Sequence, residues 1–176
     1  MLADTTLNDY FWDLVQRADV NLVPGAAQVV RELALAGYTL VISSGSIPSV
    51  VVSRMRQANI AHYFRLLLGT DYTSTEMVKG DGHFRAIQRE LSISPSVFRR
   101  ISVMVGDGPH DVMIAKRAGI MSIARVTSRN IERLKSVGAD LFISDLPDLI
   151  DVLSKLSNNH RVFVPISELV SSKQEE

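Results

Sequence analysis

The chain has 176 residues, enough for one compact domain, with 46% hydrophobic and 22% charged residues, a balance that favours a packed core over disorder. Nineteen basic and 19 acidic side chains cancel, so no global basic field favours nucleic acid. The absence of cysteine excludes a disulfide scaffold, a thiol nucleophile and a thiolate zinc site. No apolar run approaches the roughly 18 residues of a membrane span, and MLADTTLNDYF carries no secretory pattern, which predicts a cytoplasmic protein with no membrane partner.

The elements follow in chain order. Leu7, Tyr10, Phe11, Leu14, Val15 and Ala18 recur at the spacing of one helix face, with Thr6 as its cap and Asp9 three residues on. A second helix follows Pro24-Gly25, with Ala26, Val29, Val30, Leu33 and Ala34 on one face and Gly37 placed to end it. Residues 39–43, TLVIS, form a short β-branched run closed by Ser44-Gly45-Ser46, which predicts a buried strand and a loop. Ser46 and Pro48 open a helix to about Ala58. Strands are predicted at 65–68, 101–105, 121–124 and 141–143, and helices at 83–91, 110–118, 129–137 and 146–156. Arg161 to Pro165, RVFVP, reads as an edge strand because proline lacks an N–H, the alternative being a central place in the sheet. SSKQEE reads as a solvated tail. Alternating strands and helices predict an α/β fold, a three-layer doubly wound parallel sheet whose ligands bind beyond the carboxyl ends of the strands.

The polar residues that follow those strands are therefore the candidates. Gly106-Asp107-Gly108-Pro109-His110-Asp111 carries two carboxylates at a strand end and in the first turn of a helix, hard oxygen ligands of the kind Mg2+ takes together with water and phosphate. The plainer explanation is a strand-to-helix turn with Asp111 as a first-turn charge. It is no dinucleotide fingerprint, because Asp111 stands where G-x-G-x-x-G needs its third glycine. Ser43, Ser44, Gly45 and Ser46 supply hydroxyls and successive N–H groups at a helix entrance, an anion site or, more simply, a helix capped by Ser46. Lys79, just before a helix, is an ordinary surface charge unless it meets the serines and aspartates. His62, His83, His110 and His160 show no paired ligand spacing; His62 beside Tyr63-Phe64 reads as packing, and His110, inside the GDGPHD loop, reads as a capping or solvent residue, the alternative being contact with substrate.

Ser43, Lys79, Asp107 and Asp111, each after a strand and in that order, resemble the haloacid dehalogenase-like (HAD) hydrolase superfamily in its phosphatase branch. NLVPGAAQVVRELALAGYTLVISSGS resembles that family's passage from cap domain to second core motif, MVGDGPHDVMIAKRAGI its fourth motif, and SVGADLFISDLPDLIDVLSKL its closing units. The resemblance spans about residues 20 to 156 and implies a Rossmannoid core with most of the cap missing. It implies that Ser43, with Ser44 and Gly45, binds the transferring phosphoryl group. Lys79 would hold that phosphate and the charge of the nucleophile. Asp107 would ligate Mg2+ directly, and Asp111 directly or through water. The substrate class is a small phosphorylated metabolite.

One motif departs from the family. Its first strand ends in D-x-D-G-T, whose first Asp attacks phosphorus and whose second is the acid–base. Here Asp4-Thr5-Thr6-Leu7 is the available segment. Asp4 as the second Asp puts Leu2 at the nucleophile, whereas Asp4 as the nucleophile puts Thr6 at the acid–base position after three residues, short for a strand of about five or six. A helix start capped by Thr6 explains the segment locally. The preferred division is therefore a cap-type or N-terminal helix at 1–20, the core at 21–157 and an extension at 158–176. The nucleophile strand, expected between the strands at 39–43 and 101–105, is missing and left to an upstream segment or a partner chain. Two functions stay open: an Mg2+-dependent phosphatase working through an aspartyl-phosphate, impaired by that loss, or a non-catalytic HAD-like domain that binds metal and phosphate or serves as an interaction subunit.

Overall fold

The computed structural model describes residues 10–15 and 17–158. Residues 10–15 are helical (α1). There follow α2 (Ala26–Leu35), β1 (Leu40–Ser43), α3 (Pro48–Gln57), a 3-10 turn (Ala61–Tyr63), β2 (Phe64–Leu68), α4 (Asp81–Glu90), α5 (Pro95–Ile101), β3 (Val103–Gly106), α6 (Pro109–Ala118), β4 (Met121–Arg125), α7 (Ile131–Val137), β5 (Leu141–Ile143) and α8 (Asp148–Asn158). Asp4, Thr6 and the RVFVP run lie outside the described residues.

Helix periodicity selects the buried side chains, Val29 and Leu33 in α2 and Leu149 and Leu153 in α8, each pair one turn apart. Gly37, at φ 87°, turns the chain out of α2 in the left-handed region that glycine enters without strain. One helix escaped the sequence reading. In α5, Ser94 caps the first turn by accepting the Val97 N–H at 3.3 Å, with Pro95 at the first helical position. Ile101 consequently ends a helix instead of opening a strand. α4 starts at Asp81, two residues before the expected His83.

Every strand pair is parallel, and the strands fall into two ladders, β1-β2 and β3-β4-β5. No backbone pairing joins β1 to β3 among the described residues. Among the described residues the parallel pairing is therefore interrupted between the strands at 39–43 and 101–105, where a further strand is expected. Its consequence shows in burial. β4, flanked on both sides, buries Ser122, Ile123 and Ala124, whereas β1 and β3 bury no residue fully and Val105 is 38% exposed.

Helices hold the two ladders together from both faces. Val41 of β1 and Met104 of β3 pack against the cluster of Leu68, Phe84, Ile87, Phe98, Ile114, Ala115 and Ile120. Leu40 and Val103, one residue earlier in each strand, pack on the opposite face against Val29, Leu33, Ile123, Ile143, Leu149 and Leu153. α4, α5 and α6 therefore cover one face and α2 and α8 the other, which is the expected three-layer arrangement. Burial of each such side chain contributes about 1.5–3 kcal/mol. No helix among the described residues is long and apolar enough to cross a membrane.

Candidate functional site

Strand alternation places the site. Since Val41 and Met104 face α4 and α6, Ser43 and Gly106, two residues further on, face the same layer at the carboxyl ends of their strands. Ser43 Oγ lies 2.8 Å from His83 Nδ1 in α4. An added Cβ at Gly106 would lie 2.4 Å from Asp111 Oδ2 in α6, so glycine is what lets the Asp111 carboxylate lie against the end of β3.

The loops after β1 and β2 are stitched together. The Ser44 N–H donates to the Leu68 carbonyl at 2.9 Å, and Thr70 N–H to the Ser46 carbonyl at 2.8 Å. Thr70 Oγ1 donates to the Ser44 carbonyl at 3.1 Å and accepts the Lys79 N–H at 3.2 Å. The Tyr72 hydroxyl donates to the Gly45 carbonyl at 2.6 Å. At Gly69 a Cβ would meet Pro48 N at 2.5 Å and Ser46 O at 2.6 Å, so the crossing admits no side chain. Ser46 does not cap α3, contrary to the simpler expectation. Ile47 holds the cap position without a side-chain bond, and the Ser46 N–H donates to Ser44 Oγ at 3.1 Å within the loop. Gly45 is exposed, its N–H is unpaired among the described residues, and a Cβ there would meet nothing within 4 Å.

Lys79 and Asp111 meet. Lys79 Nζ donates to Asp111 Oδ1 at 2.5 Å, with the side chains 20% and 13% exposed. Asp111 Oδ2 accepts the Gly108 N–H at 3.1 Å, which fixes the carboxylate against the turn that carries Asp107. The Asp107 side chain is exposed and makes no hydrogen bond or ion pair among the described residues. Its carbonyl is held by Asn130 Nδ2 at 2.9 Å, and the same amide reaches the Arg125 carbonyl at 3.1 Å. His110 is exposed, and the His62 ring packs on Tyr63 with centroids 4.0 Å apart.

Two participants were not singled out by the sequence reading. Asn130 clamps the Asp107 turn, a role that no local pattern announces. His83 is fully buried, with Nε2 3.0 Å from the Gly69 carbonyl. A signal for it existed: a histidine beside Phe84 on the apolar face of α4 must find hydrogen-bond partners. Burial pushes its pKa below the usual histidine value; the Gly69 carbonyl opposes that, the Lys79 charge adds to it, and the Met77 carbonyl opposes it.

The donor chemistry suits a hard cation in part. Among the described residues no group of three or more His, Cys, Asp or Glu is poised around one point. Both Asp111 oxygens are already partnered, which leaves Asp107 as the uncommitted carboxylate of the pair. That suits Mg2+ in its usual mode of one or two protein carboxylates completed by water and phosphate.

Serine, lysine and two aspartates thus lie beyond the carboxyl ends of parallel strands covered by helices on both faces, the place where α/β folds of this class bind their ligands. The family model described as haloacid dehalogenase-like hydrolase matches residues 3–125, and the chain belongs to that family. It is 25% identical over 126 residues to a phosphoglycolate phosphatase of Caulobacter vibrioides, covering 72% of this chain and 51% of that protein. It is 27% identical over 148 residues to a phosphoglycolate phosphatase of Vibrio vulnificus, covering 84% of this chain and 63% of that protein. The chain therefore spans between about half and two thirds of the length of these relatives. The crystal structure of a predicted phosphoglycolate phosphatase from Haemophilus somnus has the same fold, with a TM-score of 0.67 at 17% identity over 82% of this chain and 63% of that one.

Proposed function

We propose that the chain carries the phosphate- and metal-binding part of a HAD-like phosphohydrolase that acts on a small phosphate monoester with Mg2+. The observation that supports this best is the Lys79–Asp111 pair at 2.5 Å, seated on the turn that presents Asp107, with Ser43 facing the same layer. In this reading Ser43, Ser44 and Gly45 receive the phosphoryl oxygens through hydroxyl and N–H donors. Lys79 holds the phosphate and, already paired to Asp111, is oriented before substrate arrives. Asp107 would hold Mg2+ directly, with Asp111 holding it directly or through water. The cation supplies neutralisation of the charge that develops on the phosphoryl group.

Covalent transfer also needs an acceptor carboxylate within about 3–3.5 Å of phosphorus. Its natural place is a strand between β1 and β3, which this reading assigns to an upstream segment or a partner chain; Asp4 is the competing assignment. The division into a helix at 1–20, a core at 21–157 and an extension at 158–176 belongs to the same proposal. The edges of β1 and β3 left unpaired among the described residues favour a second reading as well, a metal- and phosphate-binding subunit completed by another chain. Mg2+ titration followed by amide NMR tests the site: shifts are expected at Gly106–Asp111, lost in Asp107→Asn and kept in Asp4→Asn. Shifts that survive Asp107→Asn contradict the assignment.

A further inference from the structure

Among the described residues the buried polar side chains are Thr70, His83 and Ser122, and His83 alone of these titrates. The Ser43 hydroxyl at Nδ1, the Gly69 carbonyl at Nε2 and the Met77 carbonyl all face the ring, and the Gly69 carbonyl selects the neutral tautomer. The Gly69 carbonyl, 3.0 Å from Nε2, can only accept, so Nε2 carries a hydrogen. In the neutral ring Nδ1 is then a bare lone pair, and the proton in the 2.8 Å contact belongs to Ser43 Oγ. Ser43 Oγ then has only lone pairs to offer an anion beside it, which is the wrong polarity for a tetrahedral anion. Two adjustments reverse it. The hydroxyl can turn away from the ring, which strands a buried Nδ1 without a partner. Alternatively the ring takes a second proton from solvent, Nδ1–H donates to Ser43 Oγ, and the serine hydrogen is released to the anion.

We propose that His83 is a positioning residue that sets the direction of the Ser43 hydroxyl, and that an anion bound at Ser43 is accompanied by uptake of one proton at His83. This rests on the reading of Ser43 as a phosphoryl-binding residue. The charges around the ring fit a device held neutral until an anion arrives. Lys79, on the loop before α4, opposes the second proton and is itself balanced by Asp111 of α6, while the Gly69 and Met77 carbonyls favour that proton. A dianion beside Ser43 adds an attraction for that second proton.

Sulfate is the probe, because it stays a dianion between about pH 5 and 8, so the binding linkage reports the protein's protons and not its own. Ring-nitrogen NMR of the intact chain is expected to show His83 protonated at Nε2 alone without sulfate, and at both nitrogens with sulfate, at a pH between its free and bound pKa values. Sulfate affinity is expected to rise as pH falls, about tenfold for each unit by which sulfate raises the His83 pKa. His83→Gln, which has no proton to take up, is expected to lose the part of this slope that belongs to the ring; if that variant does not fold, the ring nitrogens of the intact chain decide. Sulfate-dependent shifts at Ser43 and Lys79 with His83 still singly protonated overturn this proposal and leave the phosphate reading standing. No sulfate-dependent shift at Ser43 or Lys79 at any pH overturns both.

Discussion

His83 carries the clearest residue-scale consequence. Burial first, and the Lys79 charge as well, hold its pKa below the ordinary 6.5. The folded chain therefore binds fewer protons than the unfolded chain between the lowered value and 6.5. The contribution of His83 to stability is complete above 6.5 and is lost as pH falls through the folded pKa. Urea midpoints measured downwards from neutral pH are expected to fall in that window, with the His83 ring signals titrating in step. A His83 ring that titrates at or above 6.5 contradicts the account. Glycine acts differently, by permitting contacts. At Gly106 the missing Cβ leaves the space that the Asp111 carboxylate occupies, and at Gly69 it lets the β2 loop pass Pro48. Both are consequences of close approach between elements, and neither is visible in the local sequence.

At the scale of elements, the junction between the β1 and β2 loops depends on Thr70, which is 4% exposed and bonds both the Ser44 carbonyl and the Lys79 N–H. Thr70→Val keeps the shape and removes both bonds. It is expected to cost about 1–3 kcal/mol in urea unfolding, because buried polar groups are left unpaired, and to broaden the Lys79 side-chain signals. An unchanged midpoint would mean that the loops are held by their backbone bonds alone. The strands and most helices were legible because apolar periodicity and glycine stops are local signals, as at Leu40–Ser43 and at Gly119 after α6. α5 was missed because its seven residues are too few to show a period, although Ser94-Pro95 marked its start. The aspartates and Lys79 were legible from their positions after strands. His83 and Asn130 were not, because their roles arise from tertiary contacts, His83 across 40 residues to Ser43 and Asn130 across 23 to Asp107.

At the scale of the molecule, the described residues leave β1 and β3 each with one edge unpaired, and helices on both faces bridge the break. Ser43 lies on one side of that break and the Asp107 turn on the other, and the Lys79–Asp111 pair joins the two sides directly. Turnover is the measurement that tests this account most directly. A panel of phosphate monoesters with Mg2+ is offered to the intact chain, to Asp4→Asn and to Asp107→Asn. Background turnover is expected from all three chains, and turnover sensitive to Asp107→Asn once a segment bearing an acceptor strand is supplied. Robust turnover by the intact chain, abolished by Asp4→Asn and by Asp107→Asn alike, would contradict it and make Asp4 the acceptor.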